Sequence, residues 1–152
     1  MSLEIGQEAS DFELTDQHGQ KVRLSDFRGQ QSVVLVFYPF AFSRICTGEL
    51  CEIRDNLGVF IADGVQVIGI SCDPMFSLRA FADAEGYAFP LLSDFWPHGA
   101  VGTRYGVFDQ SAGRSTRGSF LVDTEGVLRW SVVNGPGEAR PLTAYREALA
   151  AL

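Results

Sequence analysis

The sequence predicts an α/β protein: a central mixed β-sheet flanked by helices and preceded by an N-terminal β-hairpin. Three observations predict it. Residues 32–38 (SVVLVFY) and 65–71 (VQVIGIS) are apolar and β-branched on both faces, the pattern of strands covered on both sides of a parallel sheet. Between them, Leu50, Ile53, Leu57, Phe60 and Ile61 recur at spacings of three, four, three and one, which draws one helical stripe over residues 47–63. Residues 119–122 and 127–133 bracket Asp123-Thr124-Glu125-Gly126, turn chemistry between two strand-forming runs, so they form an antiparallel hairpin.

The remaining elements follow in chain order. Residues 12–14 and 21–24 flank the turn-forming Thr15-Asp16-Gln17-His18-Gly19-Gln20 and make the N-terminal hairpin. Residues 75–85 carry Phe76, Leu78 and Phe81 on a second helix, which Gly86 stops. Residues 89–92 are a short extended piece, and residues 99–105 suit a short helix. Residues 140–152 close the chain as an amphipathic helix. Strand, helix, strand, helix, then hairpin and helix is a thioredoxin-like order, with the sheet between two helical layers. Such a scaffold hosts many chemistries, so function has to be argued from the site.

Composition bounds the reading. A chain of 152 residues and 16.6 kDa fits one domain spanning 1–152 and can bury enough surface to fold without disulfides or metals. A net charge of −7 and a pI near 4.7 argue against nucleic acid and against an anionic membrane surface. The longest apolar run, residues 33–42, contains Pro39 and is too short to span a bilayer. Residues 1–8 lack the basic and apolar regions of a secretory leader, so a cytoplasmic location is expected. In a reducing compartment the odd set Cys46, Cys51 and Cys72 points to free or reactive thiols rather than a disulfide framework.

The chemistry concentrates in residues 38–51 (YPFAFSRICTGELC). Cys46 falls where the buried strand has ended and the helix begins, facing unpaired N–H groups and the positive end of the helix dipole. Helix N-termini and nearby arginines are settings in which a cysteine pKa falls below its free value of ~8.5, and the thiolate is the nucleophile. Ser43, three residues earlier, offers a hydroxyl beside the sulfur as donor and acceptor. Pro39 fixes φ and lacks an N–H, so it can shape the turn and shield the sulfur from water. The alternative is that Cys46 is a small buried hydrophobe. Arg117 lies just before the strand 119–122, which neighbours the central strand and runs against it. Its guanidinium is thereby expected near Cys46. Arg44 is expected at the surface. Glu49 either orients Arg117 through a carboxylate pair or is a solvated helix charge.

Pro-x-x-x-Ser-x-x-Cys after a buried apolar strand resembles the peroxiredoxin active-site motif. The likeness runs through residues 6–14 (GQEASDFEL), 67–74 (VIGISCDP), 89–94 (FPLLSD) and 117–123 (RGSFLVD). Phe40-Ala41-Phe42, Gly48-Glu49-Leu50 and residues 93–101 (SDFWPHGAV) resemble the AhpE-type subfamily in particular. The resemblance implies that Cys46 is the peroxidatic cysteine, with Pro39, Ser43 and Arg117 completing the site. It implies attack of thiolate on a peroxide oxygen to give sulfenic acid, without metal or organic cofactor. It also implies a homodimer. A protein disulfide oxidoreductase is disfavoured, because thioredoxin-type exchange uses Cys-x-x-Cys. A redox sensor that signals through Cys46 without turnover is the other rival.

AhpE-type proteins usually carry one cysteine, whereas Cys46 and Cys51 here resemble the Cys-x-x-x-x-Cys of the PrxQ-type subfamily, in which the second cysteine resolves the sulfenic acid. On an intact helix those Cα atoms stand ~8.6 Å apart, beyond the ~7 Å limit for a disulfide. Resolution would need the first turns to unwind, which Gly48 eases. Cys51 is thus either a resolving cysteine or a bystander. Cys72, after the strand 65–71, is either a buried inert thiol or within reach of Cys46 after a local rearrangement. With no cysteine after Cys72, the intersubunit resolving scheme of typical two-cysteine peroxiredoxins is not expected. If neither Cys51 nor Cys72 resolves the sulfenic acid, an external thiol must reduce it, and the resemblance implies mycothiol with mycoredoxin for an AhpE-type protein, thioredoxin for a PrxQ-type one. Phe40, Phe42, Phe95 and Trp96 frame an apolar mouth for organic hydroperoxides, a dimer surface, or part of the core. His18 and His98 are expected at the surface, and no Cys/His spacing makes a zinc site.

Overall fold

The computed structural model describes residues 3–134 and 140–152, and the side chains of all of these except residues 45–47. A hairpin of β1 (Glu13–Thr15) and β2 (Lys21–Arg23) leads through a 3-10 turn, Leu24–Phe27, into β3 (Ser32–Phe37). Helices α1 (Arg44–Asp55) and α2 (Leu57–Ala62) precede β4 (Val65–Ser71), and α3 (Met75–Glu85) precedes β5 (Leu91–Ser93). Then come α4 (Ala100–Arg104), the two-residue strands β6 (Phe108–Asp109) and β7 (Arg114–Ser115), the hairpin β8 (Arg117–Val122) and β9 (Leu128–Asn134), and α5 (Leu142–Ala150).

Seven strands form one mixed sheet in the order β2-β1-β5-β4-β3-β8-β9. The core strands β3, β4 and β5 are parallel, and β8 runs antiparallel to β3. The strand period of two sorts β3 between two cores. Val34, Val36 and Tyr38 pack with Leu50, Ile53, Phe60, Leu78, Phe81, Tyr145 and Leu149 from α1, α2, α3 and α5. Val33, Leu35 and Phe37 pack on the other face with Phe12, Ile68, Ile70, Val101, Tyr105 and Phe120. This is the thioredoxin-like α/β fold that the patterning predicts.

Three expectations change. The predicted helix 47–63 begins earlier, at Arg44, and divides at Asn56. There the Asn56 side-chain amide donates to the Glu52 carbonyl at 2.8 Å, the local side-chain bonding that competes with a continuing helix. The closing helix starts at Leu142 behind Pro141, which leaves Arg140 outside it. Arg117 is the first residue of β8 rather than a residue before it. The β6–β7 pair was not expected. It is closed by the Asp109 carboxylate, which accepts from the Ser111 N–H and hydroxyl and the Ala112 N–H.

Candidate active site

The C-terminal ends of β3, β4 and β5 gather at one edge of the sheet, and β8 begins there: Phe37 at the end of β3 is in register with Gly118. Tyr38 is anchored to β4 by its N–H, which donates to the Ile70 carbonyl at 3.1 Å. Residues 39–43 then cross to α1. The backbone of Cys46 lies in the first turn of α1, where N–H groups have no partner within the helix. Its side chain lies outside the described residues, so the predicted surroundings of the sulfur do too.

Glu49 sits on the next turn of α1, three residues on, and is buried. Its carboxylate is clasped by two buried arginines. Arg117 donates through Nη1 to Oε1. Arg140 donates to Oε2 from Nε at 2.9 Å and from its backbone N–H at 2.6 Å, and to Oε1 from Nη2 at 3.2 Å. Arg140 also donates from Nη1 to the Phe37 carbonyl at 2.8 Å, and to the Gly118 carbonyl and Ser119 hydroxyl at 3.0 Å. It therefore staples β3, β8 and α1 together. The charge-assisted bonds fix the Arg117 guanidinium against the early turns of α1. Of the two expectations for Glu49, paired carboxylate and solvated charge, the geometry is the first.

On the loop, Pro39 is buried and Ser43 is the N-cap residue of α1. The Ser43 hydroxyl oxygen is buried and has no hydrogen-bond partner among the described residues, and it does not bond the helix N–H groups as a cap would. Phe42 holds a left-handed backbone, φ 67°, with its ring 4.9 Å from that of Phe81. For a residue with a side chain that conformation costs about 1–2 kcal/mol. Phe40, Phe42, Phe95 and Trp96 are exposed, Trp96 at 80%, so they are not core. Arg44 is exposed, as expected.

The other thiols are engaged elsewhere. Cys51 is half-buried, its Sγ 3.4 Å from Glu85 Oε2 and from the Tyr87 hydroxyl. Cys72 is buried, and burial, reinforced by the Asp94 carboxylate, pushes its thiol up to about 11. That is the character of an inert thiol at neutral pH. His18 is exposed; His98 is exposed and sits between the Phe95 and Gly113 carbonyls. Among the described residues no group of His, Cys, Asp and Glu could hold a metal ion, and no helix is long and apolar enough to cross a membrane.

Arg140 is the residue that sequence reasoning missed. Nothing local marks it: it stands before a proline at the head of an amphipathic stretch, where arginine is ordinarily a solvated charge.

The fold and the sheet edge define a thioredoxin-like α/β protein with an anchored arginine beside a cysteine-bearing helix start. The model of the AhpC/TSA family matches residues 5–131. The chain is 47% identical over 150 residues to alkyl hydroperoxide reductase E of Mycobacterium tuberculosis, covering 99% of this chain and 98% of that one. Among solved structures it resembles peroxidoxin BcpB of M. tuberculosis, with a TM-score of 0.86 and 33% identity over 97% of this chain and 95% of that chain. It also resembles Enterococcus faecalis AhpC, with a TM-score of 0.90 and 29% identity over 99% and 92%. The chain belongs to the AhpC/TSA family and is a peroxiredoxin.

Proposed function

We propose that Cys46 is the thiol with which this peroxiredoxin reduces hydrogen peroxide and organic hydroperoxides. The thiolate attacks one peroxide oxygen: an S–O bond forms, the O–O bond breaks, and the bonding pair leaves on the second oxygen. That oxygen takes a proton and departs as water or alcohol, and Cys46 is left as sulfenic acid. Charge grows on the departing oxygen, so donors aimed at it lower the barrier. Arg117 and the Ser43 hydroxyl supply those donors, and Pro39 screens the sulfur from water. Glu49 and Arg140 are positioning residues that hold Arg117. The observation that carries the reading is the buried Arg117–Glu49–Arg140 cluster, built around Glu49 of α1 three residues after Cys46, at the edge where the buried Ser43 hydroxyl, without a partner among the described residues, also lies.

An external thiol then reduces the sulfenic acid. Two features support this over resolution by Cys51: α1 runs without a break from Arg44 to Asp55, and the Cys51 sulfur is engaged by Glu85 and Tyr87. The likeness to alkyl hydroperoxide reductase E favours mycothiol with mycoredoxin as reductant over thioredoxin. The exposed Phe42, Phe95 and Trp96 support a homodimer joined near this edge, and free thiols suit a reducing cytoplasm.

The test is intact mass and peroxide consumption, with and without Cys46→Ser. The wild type gains about 16 mass units, one oxygen, at Cys46, and the variant consumes no peroxide. Turnover retained in the variant overturns the assignment.

A further inference from the structure

Asp73, in the connection between β4 and α3, carries a carboxylate that the chemistry above does not use. Its Oδ2 accepts the Ala41 N–H at 2.8 Å, across 32 residues of chain, and the Ser71 hydroxyl at 2.7 Å. Its backbone N–H donates back to the Ser71 hydroxyl at 3.3 Å, and its carbonyl accepts the Ser93 hydroxyl at 2.6 Å. Asp73 is thus fixed to the ends of β4 and β5, and from there its carboxylate reaches the loop that follows β3.

The residue next to Ala41 is Phe42, whose left-handed backbone persists only where its surroundings over-determine it. Two contacts do so: the Asp73–Ala41 bond before it and the packing of its ring on Phe81. The residue after Phe42 is Ser43. If Ala41 is released, Phe42 can rotate to an ordinary backbone conformation, and that rotation swings the Ser43 hydroxyl off the edge.

We infer that Asp73 is a positioning residue for peroxide reduction: its carboxylate holds residues 39–43 so that the Ser43 hydroxyl meets the peroxide oxygens. This rests on the roles proposed above for Cys46 and Ser43. The Asp73 clamp is separate from the charge cluster, because Arg117, Glu49 and Arg140 are held by α1, β3 and β8. Loss of the clamp should therefore slow the reaction without changing how readily Cys46 ionises. A merely structural role would change stability and leave the rate of the folded protein alone.

The test compares reduced wild type, Asp73→Ala and Asp73→Asn. Oxidation of Cys46 by hydrogen peroxide is timed by rapid quench and mass spectrometry. Cys46 ionisation is read from the pH midpoint of its alkylation by iodoacetamide, mapped to its peptide. Asp73→Ala should oxidise about 10–100-fold more slowly, the cost of a displacement near 1 Å, with an unmoved alkylation midpoint. Asp73→Asn keeps an acceptor oxygen while losing the charge, and should stay within about threefold of wild type, well inside the range left by a retained bond. A wild-type rate in Asp73→Ala overturns the inference. So does an Asp73→Asn variant as slow as Asp73→Ala, which would make charge the cause, or a midpoint shift that accounts for the loss. Should Asp73→Ala fail to fold, Ser71→Ala decides: a slower rate supports the clamp, an unchanged rate overturns it. Failure of the wild type to oxidise at Cys46 would instead overturn the underlying reading.

Discussion

Replacing Glu49 by Gln is the sharpest probe of the charge cluster. Glu49 is 6% exposed, and its carboxylate faces the guanidinium groups of Arg117 and Arg140, residues that are 2% and 3% exposed. It accepts from Arg117 Nη1 and from three donors of Arg140. Glutamine keeps the shape but removes the negative charge that faces two buried cations, and turns an amide N–H₂ toward groups that can only donate. Removing one partner of a buried ion pair costs about 3–5 kcal/mol. Folding stabilities run to about 5–15 kcal/mol, so the variant should lose a large fraction of its margin. In a chain of this length that corresponds to a fall of about 6–20 °C in Tm. Urea unfolding followed by circular dichroism, with an unchanged m-value, would measure it.

The same variant separates charge from orientation at the active edge. Removing a negative charge beside the start of α1 favours the Cys46 thiolate, so its alkylation midpoint should hold or fall. Charge alone would then predict faster oxidation. If Glu49 acts by fixing Arg117, oxidation of the folded variant is slower despite the more ionised thiol. An unfolding midpoint equal to wild type, or an oxidation rate that rises with the thiolate fraction, would refute the reasoning.

Three further outcomes are expected. After one equivalent of peroxide, wild type and Cys51→Ser should both show the gain of about 16 mass units; a loss of about two in the wild type alone would make Cys51 the resolving cysteine. Gly118→Ala should lose about 1–3 kcal/mol by overpacking, because its Cβ would stand 2.5 Å from Val107 Cγ1 and 3.2 Å from Phe120 Cε2; denaturant unfolding at wild-type stability would contradict this. The Cys72 thiol is held up to about 11 in the fold, well above a free thiol, so the folded state keeps a proton that the unfolded chain gives up. The contribution is intact below pH 9 and is lost as pH rises toward 11, a fall of about 2–3 kcal/mol. Cys72→Ala should lack that fall, and superimposable pH–stability curves for the two proteins would rule it out.

What could be read from the sequence divides by distance along the chain. The strands β3 and β4 were legible because burial on both faces leaves an unbroken apolar run, and the stripe of α1 and α2 because its spacing is local. The break at Asn56 was not, since it depends on where one side-chain amide turns. The strands β6 and β7 are too short to show a period, and are fixed by the Asp109 turn instead. The edge carrying Arg117 could be reached, because an antiparallel hairpin beside the central strand must begin where that strand ends.

The groups that hold the site together are of the other kind. Glu49 bonds Arg117 across 68 residues and Arg140 across 91, and Asp73 bonds Ala41 across 32. Each is an ordinary surface residue by type; Glu49, Arg117 and Arg140 are buried, and Asp73 half-buried, only because acceptors and donors from several elements converge on them. Arg140 shows this most plainly: its guanidinium is tolerable in the interior only once Phe37, Gly118, Ser119 and Glu49 are assembled around it. A nucleophile on a strand-to-helix junction leaves a local signature, because the backbone that activates it is its own. A residue that positions such a site leaves none, because its role exists only in the folded arrangement. That asymmetry is why Cys46, Ser43 and Pro39 could be proposed from one motif, whereas Arg140 and Asp73 required the fold.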